Sequence, residues 1–176
     1  MALDTSGIER FKLQLRRLAE IPDLANEELA LCAAEVAQKA RDMAPEDYAD
    51  LKGAIQVGRR GAQGAGGRFV SGVSNYDVYI NERHPVSDPD KLDNGVTNVG
   101  DYAWYVHEHM GWGNTPGTGT LHGKPFMPSE KSVLKGMEKN VEAGGHFLTR
   151  AALELEGGIY ARLVRKVMKH VKSLDN

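Results

Sequence analysis

The chain contains a single cysteine, Cys32, so no intramolecular disulfide can hold the fold together. This cysteine lies in an alanine-rich run and is expected to be a small core residue. No apolar run approaches the ~20 residues that a membrane span requires, and the N-terminus lacks the apolar centre of a signal peptide. These absences predict a chain that avoids the membrane and is synthesised and folded in a cytoplasm.

Neither sign of charge dominates, because 22 basic residues face 24 acidic ones and the net charge is −2. There is therefore no global basic excess of the kind that marks a nucleic-acid binder, and any such surface must be local. Hydrophobic residues make up 41% and charged residues 26%, which is typical of a folded globular chain and argues against disorder throughout. The length favours a single domain over residues 1–176.

Hydrophobic periodicity predicts an N-terminal helix pair. The first helix, SGIERFKLQLRRLAEI, ends where Pro22 and Asp23 break the pattern, and the second, NEELALCAAEVAQKARDMAP, ends at Pro45. Alanines on one face of the second helix predict close packing across a sheet.

From Leu51 the apolar residues alternate with polar or small ones, which predicts strands in LKGAIQV, GRFVSGVSNYDVYINE and VTNV. Glycine, proline and polar residues concentrate near 59–68, 83–95 and 111–123, where extended loops are expected. After Pro128 the composition predicts two or three helical pieces interrupted by glycines at 144, 145, 157 and 158, and then a last helix, IYARLVRKVMKHVKSL. The predicted fold class is α+β, with an antiparallel sheet of about three to five strands packed against the N-terminal helix pair and the C-terminal helices.

The last helix is predicted to be amphipathic. Its apolar side chains are expected to point inward: Tyr160, Leu163, Val164, Val167, Val171 and Leu174. Its basic side chains share the other side: Arg162, Arg165, Lys166, Lys169 and Lys172. This basic side is a solvated helix face or, alternatively, a face for DNA.

The segment YAWYVHEHMGWGNTPGTGTLHGKPFMP, residues 102 to 128, invites a metal-site interpretation through His107, Glu108 and His109. A zinc-protease helix needs a second histidine four residues after the first, and Gly111 stands there instead. On a strand, His107 and His109 would share a face that His122 could join across the loop. A metal-dependent hydrolase built on these three histidines is thus an alternative hypothesis.

The GTGTLHGKP part of the segment does not fit a phosphate loop, because its glycine spacing is wrong and Pro125 replaces the magnesium-binding hydroxyl. No Gly-x-Ser-x-Gly element appears, and no cysteine is paired with a plausible base. The sequence therefore predicts a protein that is not an enzyme and has no catalytic, cofactor-binding or metal-binding residues.

Aromatic residues make up only 7% of the chain, yet five fall in this segment: Tyr102, Trp104, Tyr105, Trp112 and Phe126. Clustered rings beside a glycine-rich loop favour a contact surface, because rigid rings bury much area at little entropic cost. Trp104 and Trp112 are the interface candidates, while the other three also suit a core.

An ordered series of short motifs runs through residues 26 to 155. Along the chain these are Ala44-Pro45, Leu51-Lys52-Gly53-Ala54-Ile55, Tyr102-Ala103-Trp104-Tyr105-Val106, the loop GWGNTPGTGTLHG and Pro125-Phe126-Met127-Pro128-Ser129. In order and spacing the series resembles the tail-component, or tail-completion, proteins of long-tailed bacteriophages, which belong to the head-to-tail neck. Two departures stand out. EDYAD follows Ala-Pro where the family has Thr-Gly. His107 stands where a glutamate is expected, so either Glu108 makes the contact of that glutamate or the contact is missing.

The resemblance implies a small α+β virion protein without cofactors, assembled into a homo-oligomeric ring in the viral neck. A hexamer is favoured and a dodecamer is possible. The implied partners are the portal or connector protein and the tail tube or terminator protein, with DNA passing through the ring without specific recognition. The alternatives are a tail terminator that caps the tail tube and, from another class, a DNA-binding module that uses the basic C-terminal helix.

The expected interface residues are Trp104, His107, Glu108, Trp112, Arg59, Arg60 and Arg68, and the expected DNA or lumen face is the basic side of the last helix. The loop from Gly111 to Gly123 is predicted to order only against a neighbouring subunit, because it buries little apolar area and ordering costs on the order of 1 kcal/mol per residue. On that basis Trp112→Ala should weaken assembly and leave the monomer fold nearly unchanged.

Overall fold

A computed structural model describes residues 20–46, 49–63, 69–87, 97–113, 115–121 and 123–173. The chain divides into two compact units. We call Ala33–Gly58 with Asp77–Leu155 the core unit, and Met1–Cys32 with Arg59–Tyr76 and Glu156–Asn176 the terminal unit. The predicted first helix and the loop tips at 64–68 and 88–96 lie outside the described residues.

The described residues form a mixed helix and strand fold, as predicted. The helices are α1 (Ile21–Met43), α2 (Ala49–Ala54), α3 (Gly100–His109), α4 (Glu130–Glu138) and α5 (Phe147–Lys172). The strands are β1 (Ile55–Gln63), β2 (Phe69–Ile80), β3 (Thr120–Leu121) and β4 (Lys124–Pro125). Strands β1 and β2 form one two-stranded antiparallel sheet, and β3 and β4 form another. Helix accounts for 60% of the structure, so helices rather than a broad sheet supply most of the described framework.

Helix α1 begins earlier than predicted. Pro22 and Asp23 were expected to separate two helices, but both lie in the first turn of α1. Proline is tolerated there because the first N–H groups of a helix have no intrahelical partner, and an acidic side chain is stabilised at the same end.

The prediction that a strand opens at Leu51 is wrong, because residues 51 to 54 belong to α2 and the strand begins at Ile55. Leu51, Ala54 and Ile55 are all fully buried. Leu51 and Ala54 lie three residues apart on the buried face of α2, a spacing that the short apolar pattern concealed, and Ile55 opens β1. The predicted strand at VTNV is reduced to an isolated bridge between Asn98 and Pro85 among the described residues.

Helix α5 runs without interruption through Gly157 and Gly158, where a break was expected. A β-carbon added at either position would meet nothing within 4 Å, so no close packing requires these glycines. Each costs roughly 1 kcal/mol relative to alanine in a helix interior, which a 26-residue helix tolerates.

Gly157→Ala should therefore stabilise the protein by about 0.5–1 kcal/mol, since it reduces the freedom of the unfolded chain without adding strain. Denaturant unfolding measures the change. Gly136→Ala in α4 is the matched control with the opposite sign, because its β-carbon would lie 2.6 Å from the carbonyl oxygen of Val141. Loss of stability in Gly157→Ala would show that this glycine has a structural role.

The core unit is built around one apolar cluster. Helix α1 contributes Ala37, Ala40 and Met43, which confirms the predicted small-residue face as buried. The same cluster includes residues of α2, β1, α3 and α5 and of the segments between them: Ala44, Leu51, Ala54, Ile55, Val99, Ala103, Val106, Met110, Phe126, Phe147 and Ala151. Val78 and Ile80 of β2 pack against it. The alanine face thus packs mainly in a helical core, which the base of the β1–β2 hairpin joins.

In the terminal unit, the start of α1 runs antiparallel to the end of α5. Glu28 lies 3.5 Å from both Arg162 and Lys166, and Glu20 lies 3.9 Å from His170. Cys32 is buried there, as predicted. Within the described ranges, no helix is both long and apolar enough to cross a membrane.

The prediction that Tyr160 and Val164 point inward is wrong. Tyr160 is 71% exposed and Val164 is 42% exposed, as is Met168 at 49%. These three residues are four apart and therefore form one stripe on the surface of α5, which we call the α5 stripe. Leu163, Val167 and Val171 are half-buried, and Leu174 lies outside the described residues.

Candidate functional site

The segment that raised three sequence interpretations begins as a helix, α3. Ala103, Val106 and Met110 are buried at helical spacing and attach this helix to the core. Because a helix turns about 100° per residue, the strand geometry that would place His107 and His109 on one face does not occur.

The glycine-rich segment after α3 is tied to its own chain through backbone hydrogen bonds. The Gly111 N–H donates to the Phe126 carbonyl at 2.8 Å, and the Phe126 N–H donates to Gly119 at 2.9 Å. The Gly119 N–H in turn donates to His109 at 3.1 Å, and the Gly145 N–H donates to Gly111 at 3.2 Å. The expectation that residues 111–123 find partners only in a neighbouring subunit is therefore wrong for the described part of this segment.

Close approach, rather than flexibility, explains several of its glycines. A β-carbon at Gly117 would lie 2.6 Å from the Gly111 nitrogen and 2.7 Å from the Phe126 carbonyl oxygen. At Gly119 it would lie 2.7 Å from the Tyr105 hydroxyl. Real β-carbons do not approach other atoms this closely, so the backbone can fold back on itself only where side chains are missing.

Trp112 is half-buried against residues that follow it in the chain. Its backbone forms a bridge with Gly144, its ring centroid lies 5.2 Å from that of His146, and the Arg150 guanidinium lies 5.2 Å above the indole. Backbone carbonyls of Glu142 and Gly145 hold Arg150 in place at 3.0 Å. Burial lowers the pKa of Arg150, while the nearby Glu142 and Glu154 oppose this shift.

We now expect Trp112→Ala to lower the unfolding free energy of the isolated chain by about 2 kcal/mol. The variant loses the partly buried surface of the indole and its cation–π contact with Arg150. Equilibrium denaturation measures the change. Trp104→Ala is the matched control and should change stability by less than about 0.5 kcal/mol, because Trp104 is 66% exposed. If the two variants have equal unfolding free energies, Trp112 does not stabilise the monomer and is an interface residue only.

At the end of α3, two imidazoles and a carboxylate meet. One oxygen of Glu108 lies 2.7 Å from Nδ1 of His107, and the other lies 3.9 Å from Nδ1 of His146. The hydrogen bond with His107 lowers the pKa of Glu108, although partial burial acts in the opposite direction. One potential ligand atom from each of these three residues lies within 4.8 Å of the other two. We call His107, Glu108 and His146 the imidazole cluster.

The three-histidine metal hypothesis does not match this cluster. The His109 Nδ1 atom hydrogen-bonds to the Thr118 hydroxyl at 2.9 Å, and its ring lies against Trp104 and Tyr105. His122 lies outside the described residues. His146 is the residue that sequence reasoning missed, because it follows His107 by 39 positions and no spacing rule connects them.

Trp104 lies beside a surface pocket of about 350 Å³ in the core unit. The pocket is lined by Val78, Tyr79, Ile80, Glu82, Gly100, Ala103, Trp104, His107 and Leu148. Among the other aromatics, Phe126 is buried, Tyr102 packs against the core, and Tyr105 is exposed while its ring stacks on Phe126. Trp104 is thus the most exposed ring of the segment.

The predicted basic groups have different surroundings. Arg162 and Lys166 pair with acidic residues of α1, whereas Arg165, Lys169 and Lys172 are exposed on α5. Arg59 and Arg60 belong to β1, but their side chains, like the whole of Arg68, lie outside the described part of the chain.

The motifs of the ordered series meet in the core unit. Ala44, Leu51, Ile55, Val106 and Phe126 share the apolar cluster. Ser129 caps α4 by accepting a hydrogen bond from the Ser132 N–H, and the Ser132 hydroxyl accepts one from the Glu46 N–H at 2.8 Å. Segments that carry separate motifs thus pack against and hydrogen-bond to one another.

No protein-family model, curated protein or solved structure matches the chain.

Proposed function

We propose that the chain is a structural virion protein of the phage neck, which joins the head or portal connector to the tail as a ring. Its role in this proposal is assembly and not catalysis. The position in the neck rests on the ordered motifs, and the capacity to assemble rests on the apolar surface described next.

The observation that carries the proposal is the α5 stripe. Tyr160, Val164 and Met168 form an exposed apolar stripe on α5, and the exposed basic residues Arg165 and Lys169 lie beside it on the same helix. Contiguous apolar surface rimmed by polar residues is typical of protein–protein contacts. A second copy of the chain is the occupant that a ring requires, because each subunit of a ring contacts the next through a head-to-tail interface.

The hairpin supplies a second candidate contact. Strands β1 and β2 have 9 and 12 residues, and a two-stranded sheet has two edges with unpaired backbone groups. Pairing of hairpins from neighbouring subunits would produce a four-stranded antiparallel sheet across the interface. Trp104, with its adjoining pocket, is a third candidate contact.

The exposed basic residues of α5, Arg165, Lys169 and Lys172, suit a face along which DNA passes. Contacts of this kind attract phosphates and do not distinguish bases, as passage through a ring requires. A tail terminator that caps the tail tube is a close variant of the same proposal, with the same chemistry of assembly.

Native mass spectrometry of the purified chain over a range of concentrations tests ring formation. We expect a closed oligomer, with six copies favoured and twelve possible. A chain that stays monomeric alone but closes into a ring when a portal or tail-tube protein is added also supports the proposal. Open chains of continuously varying length in both conditions would contradict it.

A further inference from the structure

We propose that the imidazole cluster of His107, Glu108 and His146 is a binding site for one divalent transition-metal ion, with Zn²⁺ as the reference ion. This site is independent of the phage-neck proposal. It consists of two neutral nitrogen ligands and one carboxylate, a set that suits zinc, nickel and copper.

The geometry supports this assignment. Zinc binds nitrogen at about 2.0–2.1 Å, so ligand atoms around it lie roughly 3.3 Å apart. The Glu108 oxygens lie 2.7 and 3.9 Å from the two Nδ1 atoms, which brackets that separation. Glu108 and His146 are both about one-third exposed, so small side-chain rotations can complete the site and solvent can fill the remaining positions.

The backbone brings the third ligand to the first two. The His146 N–H donates to the carbonyl of His107 at 2.6 Å, which anchors the turn before α5 on the end of α3. The rings of Phe147 and His107 pack edge to face, with centroids 4.9 Å apart, and this contact limits the rotation of His107. Two ligands adjacent in sequence and one distant ligand are therefore held in a fixed relation.

The backbone at the third ligand is strained. His146 has a φ of 51°, in the left-handed region that glycine adopts without penalty and other residues adopt at a cost of about 1–2 kcal/mol. Backbone strain at a side chain with ligand chemistry is typical of functional sites.

Isothermal titration of the tag-free, chelator-treated chain with ZnCl₂ at neutral pH tests the site. We expect saturable uptake of one ion per chain. Co²⁺ should occupy the same site and give visible ligand-field bands that Zn²⁺ abolishes.

Two variants and a control make the assignment specific. His146→Gly should keep the fold, since glycine tolerates this φ, and weaken Zn²⁺ binding by more than about 100-fold. Glu108→Gln removes the carboxylate at an exposed position and should weaken binding at least about 10-fold. His109→Gln, a histidine of the same helix outside the cluster, should leave binding within about twofold.

No saturable uptake, or unchanged affinity in a folded His146→Gly protein, would overturn the proposal. Neither result would bear on ring formation, because native mass spectrometry measures the oligomeric state separately on the metal-free chain.

Discussion

Replacing Gly144 by alanine is expected to lower the unfolding free energy by at least about 3 kcal/mol. Gly144 has a φ of 138°, a region that only glycine adopts readily, at a cost of about 1–3 kcal/mol for other residues. The new β-carbon would also lie 2.9 Å from the Cα of Trp112 and would overlap the carbonyl oxygen of Gly111. The Gly144 N–H donates to the Met43 carbonyl at 2.9 Å, so any shift to relieve the clash would also strain the contact with α1.

Gly123→Ala is the matched control for this prediction. It also has a positive φ, 75°, but a β-carbon there would meet nothing within 4 Å. It should therefore show only the backbone cost, about 1 kcal/mol. Urea denaturation of both variants separates the two contributions, and equal losses would mean that the packing of Gly144 against Trp112 does not contribute to stability.

Val164→Glu is expected to weaken subunit association by at least about 100-fold. Burying the 42% of Val164 that is exposed contributes about 1 kcal/mol, and burying an unpaired carboxylate in its place costs roughly 2 kcal/mol or more. Since each 1.4 kcal/mol corresponds to a factor of ten, the two together exceed two decades. Sedimentation velocity over a concentration series measures the shift.

The monomer should be unaffected, because Val164 is exposed in the isolated chain. Arg165→Glu introduces the same carboxylate at the adjacent exposed position outside the α5 stripe, and should weaken association by less than about tenfold. If Val164→Glu assembles like the unmodified chain, the α5 stripe is not a subunit contact.

Helix positions could be predicted well wherever a helix has a long apolar face. Ala33, Ala37, Ala40 and Met43 repeat at three- and four-residue steps over nearly three turns, so their burial follows from periodicity alone. The six-residue α2 is too short to show a period, and its Leu51 was interpreted as the start of a strand. Tyr160 and Val164 fit the apolar side of a helix in the sequence, yet apolar character cannot distinguish a core from a subunit contact.

The glycine-rich segment was interpreted wrongly for a different physical reason. Glycine permits both flexible chain and unusually close backbone packing, and a sequence does not distinguish the two. Gly111, Gly117 and Gly144 serve close packing here. The contacts of Trp112 with His146 and Arg150 depend on that packing and join residues more than 30 positions apart, so no local pattern indicates them.

The position of this chain in an assembled phage particle tests the central claim most directly. Cryo-electron microscopy of particles carrying the chain with a small fused marker would locate it. The proposed function predicts marker density in a ring coaxial with the tail, between the portal and the tail tube, with six copies favoured. Particles that lack the chain, or that carry it at a site away from the neck and the end of the tail tube, would contradict the claim.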